Sequence, residues 1–94
     1  MDQKKNIKEW ATIHRAMGNQ NRLRILQLLS KNSEISVSKL AEELKITIKN
    51  TSRNLSILSN LNLVVFQGKQ GKVYYSINKR MPKEVQRIIN ITLS

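Results

Sequence analysis

The chain has 94 residues, enough for one domain and too few for a second, and it contains no cysteine. Disulfides, thiolate metal sites and thiol redox sensing are therefore excluded. Seventeen Lys and Arg against six Asp and Glu leave a formal net charge of +11, which points to a polyanionic partner, either nucleic acid or an anionic membrane surface.

Of the two, the membrane is disfavoured. No apolar run approaches a spanning length, and Met1-Asp2-Gln3-Lys4-Lys5 does not open a signal peptide. The expected location is cytoplasmic. Ile7, Trp10, Ile13 and Met17 recur at a three-to-four spacing, which predicts a first helix over about residues 4–17. Gly18-Asn19 ends it, and Asn19 or Asn21 can cap the next helix, about Asn21 to Leu29. Leu23, Ile25, Leu26, Leu28 and Leu29 make that helix dense enough to be central and buried. Lys31-Asn32-Ser33 is a polar break, and Glu34-Ile35 reads as a very short strand.

Ser36 is suited to cap a helix running through Leu44, with Val37, Leu40, Ala41 and Leu44 facing inward. Lys45-Ile46 turns the chain, and Thr47 caps a longer basic helix from Ile48 to about Leu61. Two helices joined by a tight turn, the second basic, form a helix-turn-helix pattern. Leu63 to Phe66 and Val73 to Ile77 then change to β-branched and aromatic runs around Gly68-Lys69-Gln70-Gly71-Lys72, a hairpin with a cationic tip. Pro82 suits the first turn of a last helix, with Val85, Ile88, Ile89 and Thr92 or Leu93 on its apolar face.

The second helix of the pair carries the candidate site. At about 100° per residue, Thr51, Leu55 and Leu58 fall on one side with Ile48 beside them, whereas Lys49, Ser52, Arg53, Ser56 and Asn60 fall on the other. Ordinary solvated helix faces mix both charge signs in i,i+4 pairs; this one has no carboxylate. Arg, Lys, Asn and Ser can hydrogen-bond base edges or phosphates in the major groove of B-DNA, which admits such a helix. A cationic hairpin tip beside it can reach the adjacent minor groove or the phosphates. The candidate contacts are Thr47, Lys49, Asn50, Ser52, Arg53 and Ser56 on or next to the helix, and Lys69, Gln70 and Lys72 on the tip.

Asn19-Gln20-Asn21-Arg22-Leu23-Arg24-Ile25-Leu26-Gln27-Leu28-Leu29 resembles the D-P-T-R-L-R-I-L-x-L-L signature of arsenic-repressor-type (ArsR) winged helix-turn-helix regulators. Ser36 to Ala41, Thr51 to Leu58 and the ending Val73-Tyr74-Tyr75 fit the same family in the same order. The resemblance implies a homodimeric transcriptional regulator, usually a repressor, paired through its first and last helices. Metal-sensing members carry E-L-C-V-C-D-L where this chain reads Glu34-Ile35-Ser36-Val37-Ser38-Lys39-Leu40, and serine does not replace thiolate for soft metals. The last helix has no His and only Glu84, and His14 reads as a packing or interface residue. No metal or cofactor is expected. The family's usual recognition-helix residues are replaced by Ile48, Lys49, Arg53 and Asn54. Asn62 stands where the family usually has Gly, a position that often needs positive φ.

The whole chain, 1–94, is thus expected to form one mainly α winged helix-turn-helix domain with about five helices and a two-stranded hairpin. Its terminal helices, about 4–17 and 82–93, would form a dimer interface through Ile7, Trp10, Ile13, Val85, Ile88 and Ile89, because two apolar stripes exceed what the middle elements can cover. Two-fold pairing would set the recognition helices about 34 Å apart, one turn of DNA. An enzyme is disfavoured, with one His, no Cys, and Glu42 and Glu43 pointing different ways. The alternatives are an RNA-binding winged helix, which would want exposed aromatics where Phe66, Tyr74 and Tyr75 are expected to be mostly buried, and a protein-interaction module without a specific DNA target.

Overall fold

The structure, a computed structural model, describes residues 5–94. Helix α1 spans Ile7–Met17 and starts later than the apolar spacing alone predicts; the expected start at Lys4 lies outside the described residues. Asn6 sets the boundary through a capping box. Its side chain accepts from the Glu9 N–H at 2.8 Å while the Glu9 carboxylate accepts from the Asn6 N–H at 3.2 Å. Helix α2, Gln20–Lys31, uses Asn19 as its cap, leaving Asn21 inside the first turn, and runs two residues past Leu29.

Strand β1 is Ile35–Ser36, and Ser36 also caps α3, Val37–Leu44, by accepting from the Lys39 N–H. Lys45 then takes a left-handed conformation at φ 58°, turning the chain. Thr47 caps α4, Ile48–Asn60. Asn62, at φ 61°, redirects the chain into β2, Val64–Lys69, the positive φ that the family resemblance implies here and that Asn tolerates better than most residues. Strand β3, Lys72–Ile77, returns antiparallel to β2. β1 pairs with the other edge of β3, so the sheet has three strands in the order β1-β3-β2. Pro82 precedes α5, Lys83–Leu93. Among the described residues, five helices and a wing hairpin make up the winged helix-turn-helix architecture.

α2 is the centre of the packing, touching α1, α3, α4 and β3. Its Ile25 and Leu26 share one core cluster with Leu40, Leu55, Leu58, Leu63, Val64 and Val85, all essentially inaccessible to solvent. Burying side chains of this size stabilises by about 1.5–3 kcal/mol each. Thr51 is the buried polar residue among them, and its hydroxyl donates to the Thr47 carbonyl at 2.9 Å.

The terminal helices contribute to this same core, which corrects the expected pairing face. Ile13, Val85 and Ile89 are buried within the chain, because α1 and α5 turn these side chains into the common core instead of leaving them bare. What remains open on the terminal helices is Ile7 at 84% exposure and Ile91 at 67%, with Trp10, Ile88 and Leu93 half-buried.

Candidate nucleic-acid interface

The orientation of α4 follows from its apolar side. Thr51, Leu55 and Leu58 are fully buried, which turns Lys49, Asn50, Ser52, Arg53, Ser56 and Asn60 to solvent. Thr47, just ahead of the helix, is also exposed. Ile48 departs from expectation: it is 58% exposed, because at the first residue of the helix it lies outside the core, which begins on this helix at Thr51. No acidic residue lies anywhere in α4.

The rest of the surface sharpens this charge pattern. Glu9 pairs with Lys5, Glu34 with Lys69, and Glu42 and Glu43 both with Lys39. Glu42 foremost, and Glu43 beside it, hold the Lys39 ammonium above its ordinary pKa. Among the described residues, Lys49 and Arg53 have no such carboxylate partner. The α4 face therefore keeps its positive charge for an external anion.

Two arginines of α2 fasten this helix pair in place. Arg22 donates from Nε to the Ala16 carbonyl of α1 at 2.6 Å and from a terminal nitrogen to Asn54 Oδ1 of α4 at 2.9 Å. Asn54 in turn donates to the Asn50 carbonyl at 3.1 Å. Arg24 reaches the Leu44 and Glu43 carbonyls at 3.4 and 3.0 Å, where α3 ends. Charged donors on neutral carbonyls are among the stronger hydrogen bonds of a protein. The arginine-leucine motif thus acts as a clamp, and half-buried Asn54 belongs to the scaffold while its neighbour Arg53 points outward. The motif was visible in the sequence; its partners, 32 residues away in one case, were not.

The wing turns on Gln70 and Gly71 at φ 50° and 78°, the positive pair that two-residue hairpins of the I′ kind require. Lys69 and Lys72 face each other as the last register pair, but they differ in surroundings. The Lys69 ammonium pairs with the Glu34 carboxylate and stands 5.4 Å from the centroid of the Tyr74 ring. It ties the wing to the loop before β1. Lys72 has no ion pair among the described residues. The two tip lysines, expected to act alike, are thus unequal.

The aromatic side chains also depart from expectation. Tyr75 is buried and Tyr74 half-buried, but Phe66 is 62% exposed because β2 runs beyond the edge of the core. Its ring rests against Tyr75 at 5.4 Å between centroids. Burial pushes the Tyr75 phenol above its ordinary pKa.

Where metal-sensing relatives would place thiolates, Ser36 and Ser38 have another occupation. Ser36 Oγ caps α3 and lies 3.3 Å from Ser38 Oγ. His14 Nδ1 sits 2.9 Å from the Trp10 carbonyl, its ring beside the indole. Among the described residues no three His, Asp or Glu converge as a metal site.

Comparison with known proteins gives a consistent picture. The profile of the bacterial regulatory protein family arsR matches residues 19–65, from the cap of α2 into β2. The uncharacterized HTH-type transcriptional regulator MJ1325 of Methanocaldococcus jannaschii is 34% identical over 82 residues, which is 85% of this chain and 90% of that protein. Among solved structures, HlyU from Vibrio cholerae superposes with a TM-score of 0.80 at 29% identity, covering 96% of this chain and 94% of its own. The homodimeric winged helix-turn-helix DNA-binding domain Mb0332 from Mycobacterium bovis, a possible ArsR-family transcriptional regulator, gives 0.75 at 26% identity over 98% of this chain and 86% of its own.

Proposed function

The chain belongs to the arsR family of bacterial regulatory proteins, a DNA-binding transcription regulator, and on that premise we propose that it is a homodimeric, sequence-specific repressor whose reading element is the exposed face of α4. The observation that carries this reading is the carboxylate-free stripe of Lys49, Ser52, Arg53 and Ser56, held outward by buried Thr51, Leu55 and Leu58. Placed in a major groove, Arg53 and Lys49 suit guanine O6 and N7, while Ser52, Ser56 and Asn50 serve base edges or phosphates. Thr47 stands at the helix N-terminus, whose free N–H groups and positive dipole favour a phosphate. Lys72 and Gln70 extend the contact from the wing, and Lys69 supports the wing through Glu34.

A homodimer suits the residual apolar surface. Ile7 and Ile91 are too exposed to be core, and Trp10, Ile88 and Leu93 are only half covered. Mb0332, a structural relative, is itself homodimeric. Pairing through α1 and α5 would place two α4 helices on successive major grooves. Repression follows from such occupancy of DNA, without a metal switch at Ser36 and Ser38 and in the cytoplasm, where the DNA lies.

Fluorescence anisotropy with a labelled random-sequence duplex tests the core of this reading. Binding should weaken steeply as salt rises, with one unit of slope lost for about each phosphate contact removed. Absent or salt-insensitive binding would refute it, and preferential binding of single-stranded RNA would favour the RNA-binding alternative.

A further inference from the structure

In the first two turns of α4, Ile48 to Asn54, Ile48 is the only aliphatic residue, and it is more than half exposed while Leu55 and Leu58 further along are fully buried. Its surroundings are polar. Ile48 sits at the edge between the buried and the polar side of the helix: Ser52 is one turn on and about 40° round from it, with Lys49 and Arg53 further round in the same direction, all exposed. The other open aliphatic of the helix, Ile57, is nine residues later and so points to the opposite side at about 100° per residue. Ile48 therefore forms no contiguous apolar patch of the kind that docks a protein partner. It is a single branched side chain set among hydrogen-bond donors, at the end of the helix that reaches base edges first.

We propose that Ile48 is a specificity-determining residue that packs against the C5 methyl group of a thymine in the major groove; this rests on the reading of α4 as the DNA-reading helix. The major-groove edges of the four bases offer donors, acceptors and one apolar handle, the thymine methyl. An aliphatic side chain cannot hydrogen-bond to a base, so its discrimination comes from removing its own surface and that methyl from water together. The Thr47 side chain is engaged with the Asn50 N–H at 3.0 Å, which fixes the first turn and with it the direction of Ile48. The branched Cβ leaves few rotamers to be lost on contact. In this arrangement Arg53 and Lys49 select guanine-bearing pairs, and Ile48 adds a requirement for an A·T pair of one polarity.

The test uses duplexes recovered by the wild-type protein from a random DNA pool. Each thymine of one half-site is replaced in turn by deoxyuridine, which removes the methyl group and leaves every hydrogen-bonding atom in place. Wild-type affinity should fall about fourfold at one position, the worth of one buried methyl, and Ile48→Ser should be indifferent to the same replacement. If no deoxyuridine matters, if the selected half-site has no thymine, or if Ile48→Ser loses as much as wild type, the assignment of Ile48 is overturned while α4 keeps its role. If the wild-type protein enriches no duplex, the reading of α4 fails and the assignment falls with it.

Discussion

Replacing Arg22 by methionine keeps an unbranched apolar stem and removes every donor of the guanidinium. Two contacts vanish: Nε to the Ala16 carbonyl at 2.6 Å and the terminal nitrogen to Asn54 Oδ1 at 2.9 Å. Hydrogen bonds from a charged group contribute about 1.5–3 kcal/mol each when fully buried. Arg22 is half-buried, so water partly replaces both, and a loss of about 2 kcal/mol in all is expected. For a domain of this size that lowers the melting temperature by roughly 10 °C. The consequence should reach DNA, because Asn54 adjoins Arg53 on α4. Affinity for a selected site should fall more than affinity for random duplex, since the charge that drives non-specific binding sits mostly elsewhere. The clamp can be isolated by a cycle with Asn54→Ala: the double variant should be less destabilised than the two single losses combined, by about 1 kcal/mol. If Arg22→Met melts within about 2 °C of wild type, or if the cycle shows no coupling, Arg22 does not hold α1 and α4 together and the argument is wrong.

Lys72→Ala should flatten the salt dependence of DNA binding by about 0.9 units of log slope, making the variant's relative loss change about threefold between about 50 and about 200 mM salt. Lys69→Ala should flatten it less, because Glu34 already neutralises that ammonium; equal effects in the anisotropy titration would contradict the inequality. Gly71→Ala meets no neighbouring atom, yet it forces a side chain to φ 78°, and denaturant unfolding should register a loss of about 1–2 kcal/mol. Tyr75 predicts an alkaline effect. Its folded-state pKa lies above the ordinary 10.0, so its contribution is fully present below about pH 10 and is lost as pH rises through the folded value. Tyr75→Phe should therefore lose less stability than wild type between about pH 9 and pH 11, as measured by urea unfolding.

Local chemistry made much of this fold legible. The positive φ of Asn62 is what the family resemblance implies, whereas Ser36 and Thr47 cap the helices that their residue types predict, because caps are decided within three or four residues. The polar side of α4 could be drawn from periodicity for the same reason. Periodicity identifies an apolar stripe without saying what covers it, and so Ile13, Val85 and Ile89 read as interface when they are core. At helix ends the same wheel fails: Ile48 shares a sector with Thr51 and Leu55 but lies beyond the packing. The start of α1 had a signal in Asn6 and Glu9 at capping-box spacing that outweighs the apolar spacing from Lys4. The contacts of Arg22 with Asn54 and of Lys69 with Glu34 join residues 32 and 35 apart, and only the folded chain brings them together. Of Phe66, Tyr74 and Tyr75, which as strand aromatics are expected to be mostly buried, Tyr75 alone is; the exposure of Phe66 depends on how far the hairpin outruns the core.

Selection from a random DNA pool by the wild-type protein and by Arg53→Ala, carried out in parallel, tests the central claim most directly. The wild-type protein should enrich a two-fold symmetric site whose half-sites are centred about one helical turn, or a multiple of it, apart, and Arg53→Ala should lose or relax the preference at one position of each half. Failure of the wild-type protein to enrich any sequence, or recovery of the same motif with equal stringency by Arg53→Ala, would contradict the assignment of the α4 face as the surface that reads DNA.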